Sequence, residues 1–244
     1  MQAVSNIHSL ERPRAHGMID FAPLFMRQTV ETAQSGTTIF FEGDAARHVF
    51  RIVRGNVRIC RFLPDGRRLI IGFVGAGDLV GLSFHNRYMF AGEAIDDVAF
   101  TRMNKRTLEE ELQLVPDFRL QLLSQLRDEI SAAQDHMLLL SHKNAEQRVC
   151  TFLLHRLERN QGRDGRTISL PMVRADIADH LGMTIETVSR TLTKLVAKGI
   201  LLPADKHQFK VASRSALARA ADEDLDDDLE DADSGARYAG ICYQ

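Results

Sequence analysis

Asp176-Ile177-Ala178-Asp179-His180-Leu181-Gly182-Met183-Thr184-Ile185-Glu186-Thr187-Val188-Ser189-Arg190 is the stretch from which the rest of the chain is best read. Ile177, Ala178 and Leu181 share one face of a short helix. Gly182-Met183 then makes a turn, because glycine enters the left-handed backbone of a tight helix–helix connection without steric cost. Thr184 is a good N-cap, its hydroxyl accepting from an orphan amide. The second helix runs from Ile185 to about Lys198, with Val188, Leu192, Leu195 and Val196 facing inward. Its outer face carries Glu186, Ser189, Arg190, Thr193 and Lys194, and Glu186 and Arg190 are spaced to pair. A helix of this kind lays its N-terminal residues against base edges in the major groove. Arginine reads guanine bidentately, and glutamate accepts from the cytosine amino group. The pattern predicts a helix-turn-helix that reads duplex DNA. The plainer alternative is a helical hairpin with a surface ion pair. Gly199–Pro203 and Gln208–Val211 read as two strands of a wing.

Charge supports a polyanion partner. The net charge of −2 conceals nine acids within Asp222–Asp233; without residues 222–244 the chain carries 30 basic and 24 acidic residues. Residues 141–221 hold 14 Lys+Arg against 7 Asp+Glu. A basic domain followed by an acidic tail favours nucleic acid over a neutral partner. The tail is expected to lack a folded core. It reads as a degradation signal, as a strip competing with DNA, or as a segment without a role.

Upstream, Thr38–Phe41, Val49–Val53, Asn56–Phe62 and Leu69–Val74 are short β-rich runs. Turns at Glu42-Gly43-Asp44, Arg54-Gly55-Asn56, Pro64-Asp65-Gly66 and Gly75-Ala76-Gly77-Asp78 separate them, which predicts an antiparallel barrel or sandwich. Pro116-Asp117 starts a helix in which Leu123, Leu126, Ile130, Ala133, Met137 and Leu140 recur at steps of three and four. So narrow an apolar seam, flanked by polar residues, predicts a homodimer interface rather than packing on the chain's own barrel. Ser141–Asn144 reads as a hinge, Ala145–Arg159 as a helix and Gln161–Arg166 as a loop. The expected domains are 1–115 (β-barrel), 116–143 (dimerisation helix and hinge), 144–221 (winged helix-turn-helix) and 222–244 (acidic tail).

The composition, 44% hydrophobic and 26% charged, suits a globular protein with a real core. No apolar run is long enough for a membrane span and no secretory leader is evident, so the cytoplasm is the expected compartment. Cys60, Cys150 and Cys242 are too scattered for a disulfide framework. No Ser–His–Asp order, metal-spaced His/Cys set or nucleotide loop stands out, and the chain is not expected to be an enzyme. An RNA-binding or structural role is a weaker rival.

Several motifs in order resemble the Crp/Fnr superfamily of transcription regulators over residues 24–220. Phe41-Glu42-Gly43-Asp44, Ile52-Val53-Arg54-Gly55-Asn56-Val57 and Gly77-Asp78-Leu79-Val80-Gly81 match its β-roll turns. Ala145-Glu146-Gln147-Arg148-Val149 fits its hinge, and Leu170–Gly182 is close to the FixK-type subgroup. Ile185-Glu186-Thr187-Val188-Ser189-Arg190 resembles the Fnr-type recognition motif. The resemblance implies an α+β fold: an N-terminal β-roll of the cyclic-nucleotide-binding kind, a long dimerisation helix and a C-terminal winged helix-turn-helix. It implies a homodimer on a TTGAT-N4-ATCAA palindrome. Arg190 would contact the guanine, Glu186 the partner-strand bases and Ser189 the thymine edge. Ile185 stands where the cyclic-AMP receptor has arginine, and suits a thymine methyl. Arg174, Thr184, Thr187 and Lys194 would hold the DNA backbone. Loops 160–166 and 64–68 would touch RNA polymerase at genes for low-oxygen respiration, denitrification or nitrogen fixation.

Relatives bind cyclic AMP, an iron–sulfur cluster or haem, and none of these is expected here. A cluster needs about four thiolates; Cys60 and Cys150 read instead as small buried residues. The cyclic-AMP phosphate motif is missing, since Leu82-Ser83 follows Gly81 and Tyr88-Met89 follows Arg87. Phe84, Tyr88 and Phe90 are expected to fill the barrel. His48 and His85 are isolated candidates for a haem axial ligand. An effector-independent regulator is therefore expected, with a ligand- or haem-gated sensor as the alternative.

Overall fold

The computed structural model describes residues 21–83, 85–159 and 165–222. Phe84, most of the 160–166 loop, Cys242 and the acidic tail beyond Asp222 lie outside the described residues.

A short helix α1 (Ala22–Phe25) leads into eight strands: β1 (Val30–Ala33), β2 (Thr38–Phe40), β3 (His48–Arg54), β4 (Val57–Phe62), β5 (Arg68–Val74), β6 (Leu79–Val80), β7 (Ala91–Ala94) and β8 (Val98–Asn104). They form two antiparallel sheets, β1-β8-β3-β6 and β2-β7-β4-β5. Phe40, Phe50, Ile52, Val57, Tyr88, Val98 and Phe100 fill the space between them. The turn at Gly55 needs glycine, because a Cβ there would lie 2.7 Å from the Asp97 carbonyl oxygen at φ +89°. Tyr88 fills the barrel as expected, but Phe90 stays half-exposed because it sits on the connection into β7 rather than on a strand.

Helices α2 (Lys105–Leu114) and α3 (Pro116–His142) come next, divided at Val115 ahead of the proline. On α3, Gln121 and Leu139 are buried, whereas Leu123, Ile130 and Met137 are 58%, 61% and 62% exposed. Ala133 is also exposed. Leu126 is half-buried, and Leu140 packs against the C-terminal core. Most of the apolar seam therefore faces away from the chain's own barrel.

The remainder is α4 (Ala145–Arg159), β9 (Thr167–Ser169), α5 (Arg174–Leu181), α6 (Ile185–Ala197), β10 (Leu201–Asp205), β11 (Gln208–Val211) and α7 (Arg214–Asp222). The wing has three strands, ordered β10-β11-β9, so β9 joins the two expected from sequence.

The two lobes share one apolar cluster. Cys60, Ile70, Phe73 and Ala91, on the outer face of the second sheet, join Phe152, Ile177 and Leu181. Beside it Asp176, 1% exposed, accepts from Arg58 Nη1 at 3.0 Å and Arg68 Nη2 at 2.6 Å. Glu93 holds the Arg58 Nε at 2.7 Å. Arg159 pairs with Asp78 and donates to the Phe73 carbonyl. His180 places Nδ1 3.3 Å from the Ile70 carbonyl oxygen and stacks on His136 of α3, ring centroids 4.5 Å apart. Phe73 and Phe152 meet the His180 ring edge-on.

Burial, then the neighbouring His136, press the His180 pKa from 6.5 down to about 3, with His155 and Arg156 pushing the same way. The folded state therefore resists a proton that the unfolded chain accepts. This stability is fully present above pH 6.5 and falls as pH drops toward 3. Between pH 7 and 5 His180 alone should remove about 2 kcal/mol. Urea titrations at both pH values check this, and His180→Phe should flatten the difference.

Candidate nucleic-acid interface

The second helix of the motif is built to stay outside. Val188, Thr191, Leu192 and Leu195 are buried against the C-terminal core. Ile185, Glu186, Ser189, Arg190, Thr193 and Lys194 are exposed, and Thr187 is half-buried. Thr184 caps the helix, its hydroxyl accepting from the Thr187 amide at 3.3 Å. Hydrogen bonds at this N-terminus, with the charge of Arg190, hold the Glu186 carboxyl below the usual range. Glu186 and Arg190 thus act on each other through space, one turn apart, and both point to solvent.

The turn before this helix is fixed from two sides. Gly182 adopts φ +62°, and a Cβ there would meet Leu140 Cδ2 at 3.5 Å. Arg148 donates through Nη1 to the Leu181 carbonyl at 3.1 Å, through Nη2 to Leu140 at 2.9 Å and through Nε to Lys143 at 2.8 Å. One guanidinium therefore satisfies carbonyls left open at the ends of both α5 and α3.

The residues named for the DNA backbone are not equally open. Thr184 lies on the outer surface and Thr187 beside it is half-buried. Arg174 is half-buried, its guanidinium 5.5 Å above the Phe209 ring. Lys194 is exposed but pairs with Glu146 of α4, which also accepts from Lys198 Nζ at 2.9 Å. Desolvation raises the Glu146 pKa, but the two lysines win and leave it lowered. This carboxylate beneath the recognition helix was missed from sequence, because it lies 48 residues from Lys194.

A cyclic nucleotide in the barrel would need an inward anion site between the sheets. Phe40, Phe50 and Tyr88 instead pack on one another there, with centroids 4.8–6.4 Å apart. A Cβ at Gly92 would strike the Phe40 ring at 2.4 Å, which shows how tightly the space is filled. The Tyr88 hydroxyl is satisfied by the backbone of His48, and the exposed Arg87 donates to the Gly43 carbonyl. The residues present do not fit a cyclic nucleotide.

Candidate redox and haem ligands are also placed. Cys60 and Cys150 are buried, and burial pushes the Cys60 thiol up to about 11. His48 starts β3 with its ring beside Phe50, and His85 lies exposed on the loop after β6. Among the described residues no cluster of three or more His, Cys, Asp or Glu could hold a metal, and no helix is long and apolar enough to cross a membrane.

A β-roll beneath a long helix and a winged helix-turn-helix defines the class: non-enzymatic, DNA-binding transcription regulators. Residues 147–220 match the Crp-like helix-turn-helix domain and residues 30–114 the cyclic nucleotide-binding domain. The nitrogen fixation regulation protein FixK of Bradyrhizobium diazoefficiens is 41% identical over 174 residues, 68% of this chain and 71% of that protein. The transcriptional activatory protein AadR of Rhodopseudomonas palustris is also 41% identical, over 67% of this chain and 70% of its own length. The structure of FixK2 from Bradyrhizobium japonicum is 35% identical with a TM-score of 0.75, covering 79% of this chain and 96% of that one. The chain belongs to the Crp/Fnr superfamily, in its FixK-type subgroup.

Gly182→Ala tests the turn. Forcing a side chain into left-handed backbone should cost about 1–2 kcal/mol, read as a lower urea midpoint at unchanged slope, and Gly182→Asn should cost less.

Proposed function

We propose that the chain is a homodimeric activator that binds a TTGAT-N4-ATCAA-like palindrome without a small-molecule effector. The observation that carries this is the exposed row Ile185, Glu186, Ser189 and Arg190 on a capped helix whose opposite face is buried. Arg190 reads the guanine, Glu186 the partner-strand bases, Ser189 the thymine edge and Ile185 a thymine methyl. Thr184, Thr187, Arg174 and Lys194 hold phosphates; Lys194 turns from Glu146 to do so. The exposed seam of α3 supports pairing through Leu123, Leu126, Ile130, Ala133 and Met137, with Leu140 at its foot. The boundaries 1–115, 116–143, 144–221 and 222–244 divide the work into β-roll, dimer helix, reader and tail. RNA polymerase is the partner at the promoter, and the cytoplasm is the compartment. Relatives named for nitrogen fixation regulation, and for fumarate and nitrate reduction in Escherichia coli, support low-oxygen and nitrogen-metabolism genes as targets.

The test is selection of binding sites from random duplex DNA by the untreated protein. Recovery of the palindrome supports the reading; recovery only after a cofactor is added would favour the gated sensor. Arg190→Ala should weaken binding by about 1–3 kcal/mol and flatten preference at the G·C pair, measured by titrating each base variant. Ile130→Glu should shift the protein toward monomer in sedimentation and lower DNA affinity with it.

A further inference from the structure

The end of α7 and the recognition helix α6 both pack on α4. Lys143, at the break between α3 and α4, donates through Nζ to the Ala221 carbonyl at 2.9 Å and to Asp222 at 3.1 Å. The same ammonium reaches Thr151 at 3.0 Å, so the last turn of α7 is held against α4. Three residues further along, in the first turn of α4, Glu146 grips Lys194 and Lys198 of the recognition helix. The path from Asp222 to the basic end of α6 therefore runs along one helix start.

The sequence beyond Asp222 is strongly anionic. Glu223–Asp233 holds eight acids in eleven residues, with Asp226-Asp227-Asp228 in succession. At about 3.3 Å per residue this run spans up to ~36 Å, against roughly 20 Å for a helix the length of α6. The exposed cations of this domain include Arg190 and Lys194 on α6, Lys198 at its C-cap, and Lys206 and Lys210 on the wing. The side chains of Lys194 and Lys198 are still 55% and 42% exposed with Glu146 in place. Each ammonium has three donors, so an additional carboxylate can join. Glu146 shows how a carboxylate sits on these lysines.

We propose that the acidic segment Glu223–Asp233 docks on the recognition-helix face as a tethered phosphate mimic and competes with DNA for it. This rests on the DNA-reading assignment of that face. Occupation is an equilibrium: the protein's own polyanion holds the cations until DNA, with more closely spaced charges, displaces it. Tethering at this range corresponds to an effective concentration on the order of a millimolar. A segment that binds in trans at about 0.1 mM would then weaken DNA binding about tenfold. Salt screens such a contact, with a Debye length of about 10 Å at 0.1 M, so the penalty shrinks as salt rises.

The test compares the full chain with a full-length variant whose eight acids in Glu223–Asp233 become their amides, Asp226→Asn and Glu230→Gln among them. The amide variant should bind the selected palindrome about tenfold more tightly at low salt, with the gain lost at high salt. Without DNA, its Lys194 and Lys198 should be acetylated several-fold faster, read by mass spectrometry. A synthetic peptide of residues 222–233 should restore weak binding to the variant at about 0.1 mM. Equal affinity of the two chains overturns the proposal. Tighter binding with unchanged acetylation also overturns it, because the tail would then repel DNA without docking, as does a peptide that fails to compete. If neither chain selects any duplex, the DNA-reading assignment fails instead, whatever the acetylation shows.

Discussion

Everything in this molecule depends on how the reading domain is seated on the β-roll, and the seat centres on one buried carboxylate. Asp176 lies in the first turn of α5 and takes guanidinium groups from β4 and β5, over a hundred residues earlier. Such buried ion pairs contribute little net stability, because desolvation offsets the Coulomb gain. The stabilisation comes from the apolar contact beside them, where Ile70 and Phe73 meet Phe152 and the His180 ring. The charges supply direction: an apolar face alone can slide, but a carboxylate held by two planar donors admits few orientations.

The His136–His180 stack ties the same seat to α3. It keeps two imidazoles face to face with burial disfavouring charge on both. Apolar burial, the Asp176 pairs and the stack meet at one helix, α5, which is also the first helix of the reading motif. Among the described residues, the barrel interior is packed with Phe40, Phe50 and Tyr88.

The reading motif was legible in the sequence because its signals are local. The left-handed Gly182, the Thr184 cap and the buried row Val188, Leu192, Leu195 each rest on residues within one or two turns. Strands β2 to β5 were legible for the same reason, since glycine turns bracket β-branched runs. Strand β9 and helix α7 were not: β9 is only three residues long, and α7 carries just a few buried apolar positions. Contacts that join distant segments were beyond local reading. Nothing around Glu146 marks it as a partner of Lys194, and nothing around Asp176 points to Arg58. Phe90 was misplaced because an aromatic residue on a connection resembles one on a strand until the pairing is known.

Arg148 carries a consequence of its own. By bonding carbonyls at the ends of α3 and α5, it leaves little play between the helix proposed to pair the protomers and the turn that aims the reader. In the proposed dimer each recognition helix is then fixed to the symmetry axis as a mark is fixed on a ruler. Two such marks measure a single length of DNA. One added base pair would shift the second half-site by about 3.4 Å and rotate it by about 34° around the duplex axis, a change that a joint held this firmly does not follow. The spacing of the site would thus be read as strictly as its letters, by residues that never touch a base.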